Sequence, residues 1–265
     1  MSGHHTLLDT RAALRIGGAD ARDFLQAVIT QDIDHCTPDT AQAAALLTPQ
    51  GKLRFDFLIF AEADAYLIDC AAAARGALID ALTMYRLRSA VEIAEDPHTI
   101  HVMWNTEDAP PEFRRDPRHA ALGFRALLPA DAPRPDDAPD DWHAHRLALG
   151  VPEGAEELPE ATLFPLECGF QHMHAIDFDK GCYIGQEVTS RVHRKGTLRK
   201  TLRPLTFTDT APPIGTPVES EARVVGEIRA AHGNTALALI REDARAAPLT
   251  AAGQAAEAGA GLFPQ

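Results

Sequence analysis

At 265 residues and 45% apolar content, the chain is long enough for one large or two modest domains around a proper core. A net charge of −13 argues against a general nucleic-acid binder, because a polyanion is held by clustered cations. The four cysteines, Cys36, Cys70, Cys168 and Cys182, form no C-x-x-C pair and are too few for a disulfide scaffold, so reduced thiols are expected.

Residues 1–17 carry His4, His5, Asp9 and Arg11 and no apolar run of signal-peptide length. Nothing elsewhere approaches the roughly 18 apolar residues of a membrane span. A soluble, cytoplasmic protein is the expectation.

Thr10 to Ile16 reads as a strand, and a helix follows from Asp20, whose carboxylate suits a cap. Phe24, Leu25, Val28 and Ile29 give that helix one apolar stripe, read as core. Ala43 to Leu47, the turn Pro49-Gln50-Gly51 and Leu53 to Phe60 form a hairpin signal. In its second arm Leu53, Phe55, Phe57 and Ile59 alternate with Arg54, Asp56 and Leu58, as in a half-buried antiparallel strand. Further strands are expected at Tyr66 to Cys70, Val91 to Ala94 and Thr99 to Trp104, with a helix over Ala72 to Leu87 between the first two. The pattern is α+β with mostly antiparallel sheets. After a short strand at Gly123 to Leu128, the proline-rich acidic stretch Pro129 to Asp141 reads as an exposed, extended linker. Trp142 to Leu149 reads as a helix closing at Gly150.

The densest chemistry lies at Lys180-Gly181-Cys182-Tyr183-Ile184-Gly185-Gln186-Glu187. Gly181 and Gly185 permit backbone geometry or close approaches that a β-carbon forbids. From Gly185 the pattern turns helical, with Val188 and Val192 four apart and acidic or polar groups in the first turns. Cys182, just before a helix N-terminus and two residues from Lys180, has two reasons to ionise readily; packing as a small buried hydrophobe is the alternative. Beyond it, Arg191, Arg194, Lys195, Arg199, Lys200 and Arg203 form an acid-free basic run, either a solvated face or a dock for an anionic group. From Leu198 onward, short segments punctuated by Pro and Gly resemble strands of a small barrel, so the chain divides into a portion over 1–200 and a C-terminal barrel over 201–265.

The octapeptide resembles the signature of YgfZ-type folate-binding proteins, relatives of the glycine-cleavage T-protein that support iron-sulfur enzymes. Phe24-Leu25-Gln26 with Thr30-Gln31-Asp32, the turn Leu47-Thr48-Pro49-Gln50-Gly51-Lys52, and Pro165-Leu166-Glu167-Cys168-Gly169-Phe170 extend the resemblance over roughly the first 200 residues. It implies a GcvT-like folate-binding fold and a tetrahydrofolate-binding accessory protein for assembly or repair of iron-sulfur proteins. Its partners would be folate, in plain or polyglutamylated form, and iron-sulfur client or assembly proteins.

Under that resemblance Glu167 is the carboxylate expected to meet the pterin edge with paired hydrogen bonds. Lys180 and Arg191 would pair with the glutamate end of the ligand, Phe170 or Tyr183 would cover the ring, and Gln26 would face it. Gln186 and Glu187 would cap the helix and fix the loop, with Lys180 favouring the Cys182 thiolate. No stable metal is expected: Cys168, His172, Met173, His174, Cys182 and His193 offer ligand types without the spacing of a closed site, although Cys182 could lend one thiolate to a transient cluster. Two alternatives stand beside this reading. One is an aminomethyltransferase of the T-protein type, for which the paired-aspartate motif is broken, leaving Phe55 and Asp56. The other is an RNA- or protein-interaction module using the basic run, with tRNA the nucleic acid left open.

Overall fold

The computed structural model describes residues 3–263. The first half runs β1 (His4–Leu7), β2 (Arg11–Gly17), α1 (Ala21–Val28), β3 (Gln42–Leu47), β4 (Leu53–Ala61), β5 (Ala65–Ala71), α2 (Arg75–Arg86), β6 (Glu92–Asp96), β7 (Thr99–Trp104), β8 (Arg114–Arg115) and β9 (Phe124–Leu128). After α3 (Pro139–Ala148) and a long segment of turns comes α4 (Gln186–Lys195), then β10 (Lys200–Phe207), β11 (Pro217–Ser220), β12 (Arg223–His232), β13 (Thr235–Arg241), β14 (Leu249–Ala251) and β15 (Gln254–Ala258).

Three sheets organise these strands. A five-stranded sheet has the order β3-β4-β5-β2-β6, a four-stranded sheet the order β1-β7-β9-β8, and the last six strands close into a barrel in the order β10-β13-β12-β11-β14-β15. Every pairing is antiparallel, so the α+β fold with its small barrel is as expected. On β4 the side chains of Phe55, Phe57 and Ile59 pack with Phe24, Leu25, Leu78 and Leu82 of the helices. The other face differs from the half-buried expectation toward its end, where Leu58 and Phe60 are buried with Ala41 and Leu67. A second core joins the bodies: Ile100 and Trp104 of β7, Trp142 and Leu147 of α3, Leu166, Phe170 and Tyr183 of the turn segment, and Leu202 and Leu237 of the barrel.

Four local readings are corrected. Strand β1 is present where no element was expected, held by pairing of Leu7 with His101 and His4 with Trp104. The acidic stretch is not free along its length: the Asp137 carboxylate accepts the His5 backbone N–H at 2.7 Å, and α3 starts at Pro139, which suits a first helical turn rich in Asp140 and Asp141. Asp20 precedes α1 but does not cap it by its side chain, which instead accepts the Ala90 N–H at 2.7 Å. Arg203 of the basic run is buried, its Nε donating to Thr201 and its Nη1 to the Ala260 carbonyl.

The turn segment between α3 and α4 lacks regular structure yet is tied down throughout. Leu53 N–H donates to the Leu163 carbonyl and Ala161 N–H to that of Leu53, while Thr30 donates from its hydroxyl to the Ala175 carbonyl at 2.6 Å. Buried backbone groups thus find partners across elements rather than within one.

Candidate functional site

The signature loop is fixed from below. Lys180 is only 8% exposed, and its ammonium donates to the carbonyls of Ile29 at 2.9 Å and Gln31 at 2.7 Å, at the exit of α1. Burial pushes this ammonium down to about 8, against the opposing pull of Asp32 and Asp177. It also sits 5.5 Å from the ring centre of Tyr183, a buried anchor whose hydroxyl has no partner among the described protein atoms. Gly185, at φ +80°, lets the chain pass against Thr48, whose carbonyl oxygen would lie 2.6 Å from an added β-carbon. Gln186 returns from the first turn of α4 to donate to the Gly181 carbonyl at 3.3 Å.

This scaffold leaves Cys182 exposed, while Cys36, Cys70 and Cys168 are buried. Burial pushes the thiols of Cys36 and Cys70 up to about 12, and that of Cys168 well above its ordinary value, so these three are inert as nucleophiles. Beyond Cys182, α4 carries exposed Glu187 and Arg191 and a last turn of His193, Arg194 and Lys195 that suits the negative end of the helix.

A cavity of about 420 Å³ opens elsewhere, between the ends of β2 and β5, α3, the turn following it, and β12 of the barrel. Its polar lining is Arg11, His143, Arg146, Glu153, Glu157 and His232. These groups belong to a buried ionic network. Asp69 accepts Arg11 Nε at 2.7 Å on one oxygen and Arg125 Nε at 2.5 Å on the other, and Arg125 and Arg118 each donate to Glu153 at 2.8 Å. Arg146 pairs with Glu157 through both terminal nitrogens. Burial pushes Glu153 up, but Arg125, Arg11, Arg118 and Arg146 outweigh it and hold the carboxyl well below the usual range. Burial dominates at Glu157, raising it. Arg11 Nη1 is buried without a hydrogen-bond partner, 3.7 Å from Asp56.

The residues expected at a folate site are not brought together at this cavity. Glu167 is half-buried, pushed up by burial, and its carbonyl accepts the Leu202 N–H of the barrel at 2.9 Å; it is absent from the cavity lining. Gln26 is engaged locally, donating to Asp32 at 3.0 Å and accepting the Ile33 N–H at 2.9 Å. Phe170 and Tyr183 are core side chains. Asp56 accepts the Gly154 N–H at 3.2 Å, so it holds the turn that carries Glu153. Glu153, Glu157 and Arg146 went unnoticed in the sequence; Glu153 and Glu157, four apart around Gly154 just past the end of a helix, were the available signal. Of the metal-ligand types, Cys168 is fully buried and His193 lies stacked on Phe178 at 3.7 Å.

Residues 199–260 match the family model described as the CAF17 C-terminal beta-barrel domain. The chain is 33% identical over 282 residues to the mitochondrial iron-sulfur cluster assembly factor IBA57 of Homo sapiens, covering 91% of this chain and 78% of that protein. The chain belongs to the IBA57 family of iron-sulfur cluster assembly factors. The homolog from Mycosarcoma maydis is 31% identical, over 77% of this chain and 57% of its own length. Among solved structures, the glycine cleavage system aminomethyltransferase T from Bartonella henselae superposes with a TM-score of 0.72 over 97% of this chain and 84% of that one, at 10% identity, a likeness of fold alone. Membership in the IBA57 family implies iron-sulfur client or assembly proteins as partners. The expectation of a cytoplasmic protein is overturned, since these family members are named mitochondrial. It rested on the lack of an apolar secretory run, which does not distinguish one interior compartment from another. No helix of the described residues is long and apolar enough to cross a membrane.

Proposed function

We propose that this chain is a tetrahydrofolate-binding accessory factor for iron-sulfur proteins, in which the folate occupies the cavity beside α3 and Cys182 offers its thiol to a partner on a separate surface. The observation that carries this is the separation of the two: the exposed thiol sits on a rigid loop, none of whose residues lines the cavity.

The cavity has the volume and the mixed polar and apolar lining of a small-molecule site. A pterin edge presents adjacent N–H donors, and Glu157, a carboxylate of the cavity lining that Arg146 holds in place through both terminal nitrogens, is the acceptor proposed to meet them. Arg11 Nη1, a buried donor with no hydrogen-bond partner and only a longer 3.7 Å ion-pair contact to Asp56, suits a ligand carbonyl oxygen. Glu157 and Arg11 thus take the role first expected of Glu167. Folate, when bound, carries one-carbon units; the protein groups here bind and orient it. The transferase alternative has less support, because Asp56 is engaged with Gly154 N–H and lies outside the lining. The interaction-module reading keeps a smaller basic face, with Arg203 removed to the interior.

Anaerobic calorimetric titration of tetrahydrofolate tests the assignment. Ala73 is exposed at the cavity mouth, so Ala73→Trp fills the entrance with little cost to folding. Binding by the parent and by Cys182→Ala, with affinity lost in Ala73→Trp, is the expected result. No binding by the parent removes folate from the account. Separately, full rescue of iron-sulfur enzyme activity by Cys182→Ala in a deficient strain removes the thiol.

A further inference from the structure

Where α1 ends, the chain makes a 3-10 turn at Ile33–His35, with Asp32 at its start. The loop before the signature passes beside it, because Asp177 N–H donates to the Thr30 carbonyl at 3.0 Å. That crossing brings one imidazole and two carboxylates from distant parts of the sequence into one place. Ligand atoms of Asp32, His35 and Asp177 all lie within 4.8 Å of one another, with His35 Nδ1 3.9 Å from Asp177 Oδ2.

We infer that Asp32, His35 and Asp177 form a binding site for a first-row divalent transition-metal ion, completed by water. The geometry matches the need. Bonds of about 2.0–2.2 Å to one ion place its ligand atoms roughly 3–4 Å apart, so the three groups close on an ion with small side-chain rotations. Two hard carboxylates with one imidazole suit zinc, iron(II) or manganese better than calcium, which takes oxygen ligands alone.

Both carboxylates are braced by other groups, the arrangement that fixes metal ligands in place. Asp177 Oδ1 accepts the N–H of Asp179 at 2.7 Å and of Lys180 at 3.0 Å, which turns Oδ2 toward His35. Asp32 Oδ1 accepts the Asp34 N–H and the Gln26 amide, each at 3.0 Å. The nearby Lys180 ammonium does not occupy the site, since it is engaged by the carbonyls of Ile29 and Gln31. Asp179 adjoins Asp177 in the chain, whereas the neighbouring Asp34 carboxylate is paired with Arg22 and adds no free negative charge. An ion held here clamps the loop that carries Cys182 to the end of α1, and it does so without using the thiol. His35 and Asp177 were not among the ligand candidates of the sequence, because only the fold places them together.

The test is calorimetric titration of Zn²⁺ into the full chain in chelator-free buffer, with His35→Ala, Asp177→Asn and Cys182→Ser beside the parent. Co²⁺ absorption in the visible range supplies a second readout that reports the ligand set. A single zinc per chain is expected, weakened at least about tenfold by His35→Ala and by Asp177→Asn and unchanged by Cys182→Ser. His35 is exposed, so its replacement leaves the fold intact even where Asp177→Asn does not. No zinc binding by the parent overturns the site. So does binding that survives His35→Ala undiminished, or that depends on Cys182 instead.

Discussion

Lys180 donates its ammonium to the carbonyl of Gln31, 2.7 Å away, so the cation of the signature ties the loop to the exit of α1. Its place two residues from Cys182 in the sequence suggests a role in favouring the thiolate, but the ammonium is engaged by the carbonyls of Ile29 and Gln31 instead. Its removal should therefore read out first as stability. Lys180→Met leaves the carbonyls of Ile29 and Gln31 without this donor, and a loss of about 1–3 kcal/mol is expected by chemical denaturation. Unchanged stability in that variant would show that the tie contributes nothing.

The two signature glycines should behave differently. At Gly185, φ +80° and an added β-carbon 2.6 Å from the Thr48 carbonyl oxygen combine, so Gly185→Ala should cost about 1–3 kcal/mol. Gly181 has open space around its missing β-carbon and no positive φ, so Gly181→Ala should lie within about 0.5 kcal/mol of the parent. Thermal melts of the pair decide it, and equal effects would contradict the geometry.

Much of the fold was legible because alternation on β4 and the stripe of α1 are local signals, which burial against one another then satisfies. The barrel was legible for the same reason, its short segments being punctuated by proline and glycine. The site was less so. Glu167 stood next to the signature in sequence, but the cavity is lined by groups from β2, α3, the following turn and β12, which only tertiary packing assembles. Strand β1 was missed because His4 and His5 give no strand pattern; its pairing partner β7 supplies the reason for it.

One fast-reacting thiol per chain is expected with a small aromatic disulfide reagent under native conditions. Cys182 is exposed, whereas Cys36, Cys70 and Cys168 are buried and their pKa values raised. Unfolding should release all four, and Cys182→Ser should abolish the fast phase. A fast phase that persists in Cys182→Ser would mean that one of the inner cysteines opens to solvent.

Asp69 is fully buried between Arg11 and Arg125, accepting 2.7 Å and 2.5 Å hydrogen bonds. Asp69→Ala leaves two buried guanidiniums with one anchor fewer, a change expected to cost about 3–5 kcal/mol. Asp69→Asn keeps the shape and loses the charge, and should fall between the parent and Asp69→Ala. Denaturation midpoints rank the three, and an Asp69→Ala protein as stable as the parent would remove the network from the stability of the fold.

Acid sensitivity should begin well above the carboxylate range. Burial pushes His101 and His143 down to about 4, so both are neutral in the folded chain, while the unfolded chain takes up their protons near 6.5. Between those values the unfolded state binds more protons, and stability must fall as pH falls. His5 and Thr99 contact the His101 ring, and Arg146 contacts that of His143; none is an acid that would reverse the shift, and the more distant pull of Glu153 and Asp140 on His143 is outweighed. Glu153 adds a second step. Its carboxyl is held below the ordinary 4.5, so its contribution is fully present above that pH and is lost as pH drops through the lower folded value. Denaturation curves taken from about pH 8 down to about pH 4 should therefore show stability declining from about pH 6.5, with His143→Gln flattening the upper part of the decline. A profile that stays level until about pH 4.5 would mean that the two imidazoles take up protons in the folded state as readily as in the unfolded one.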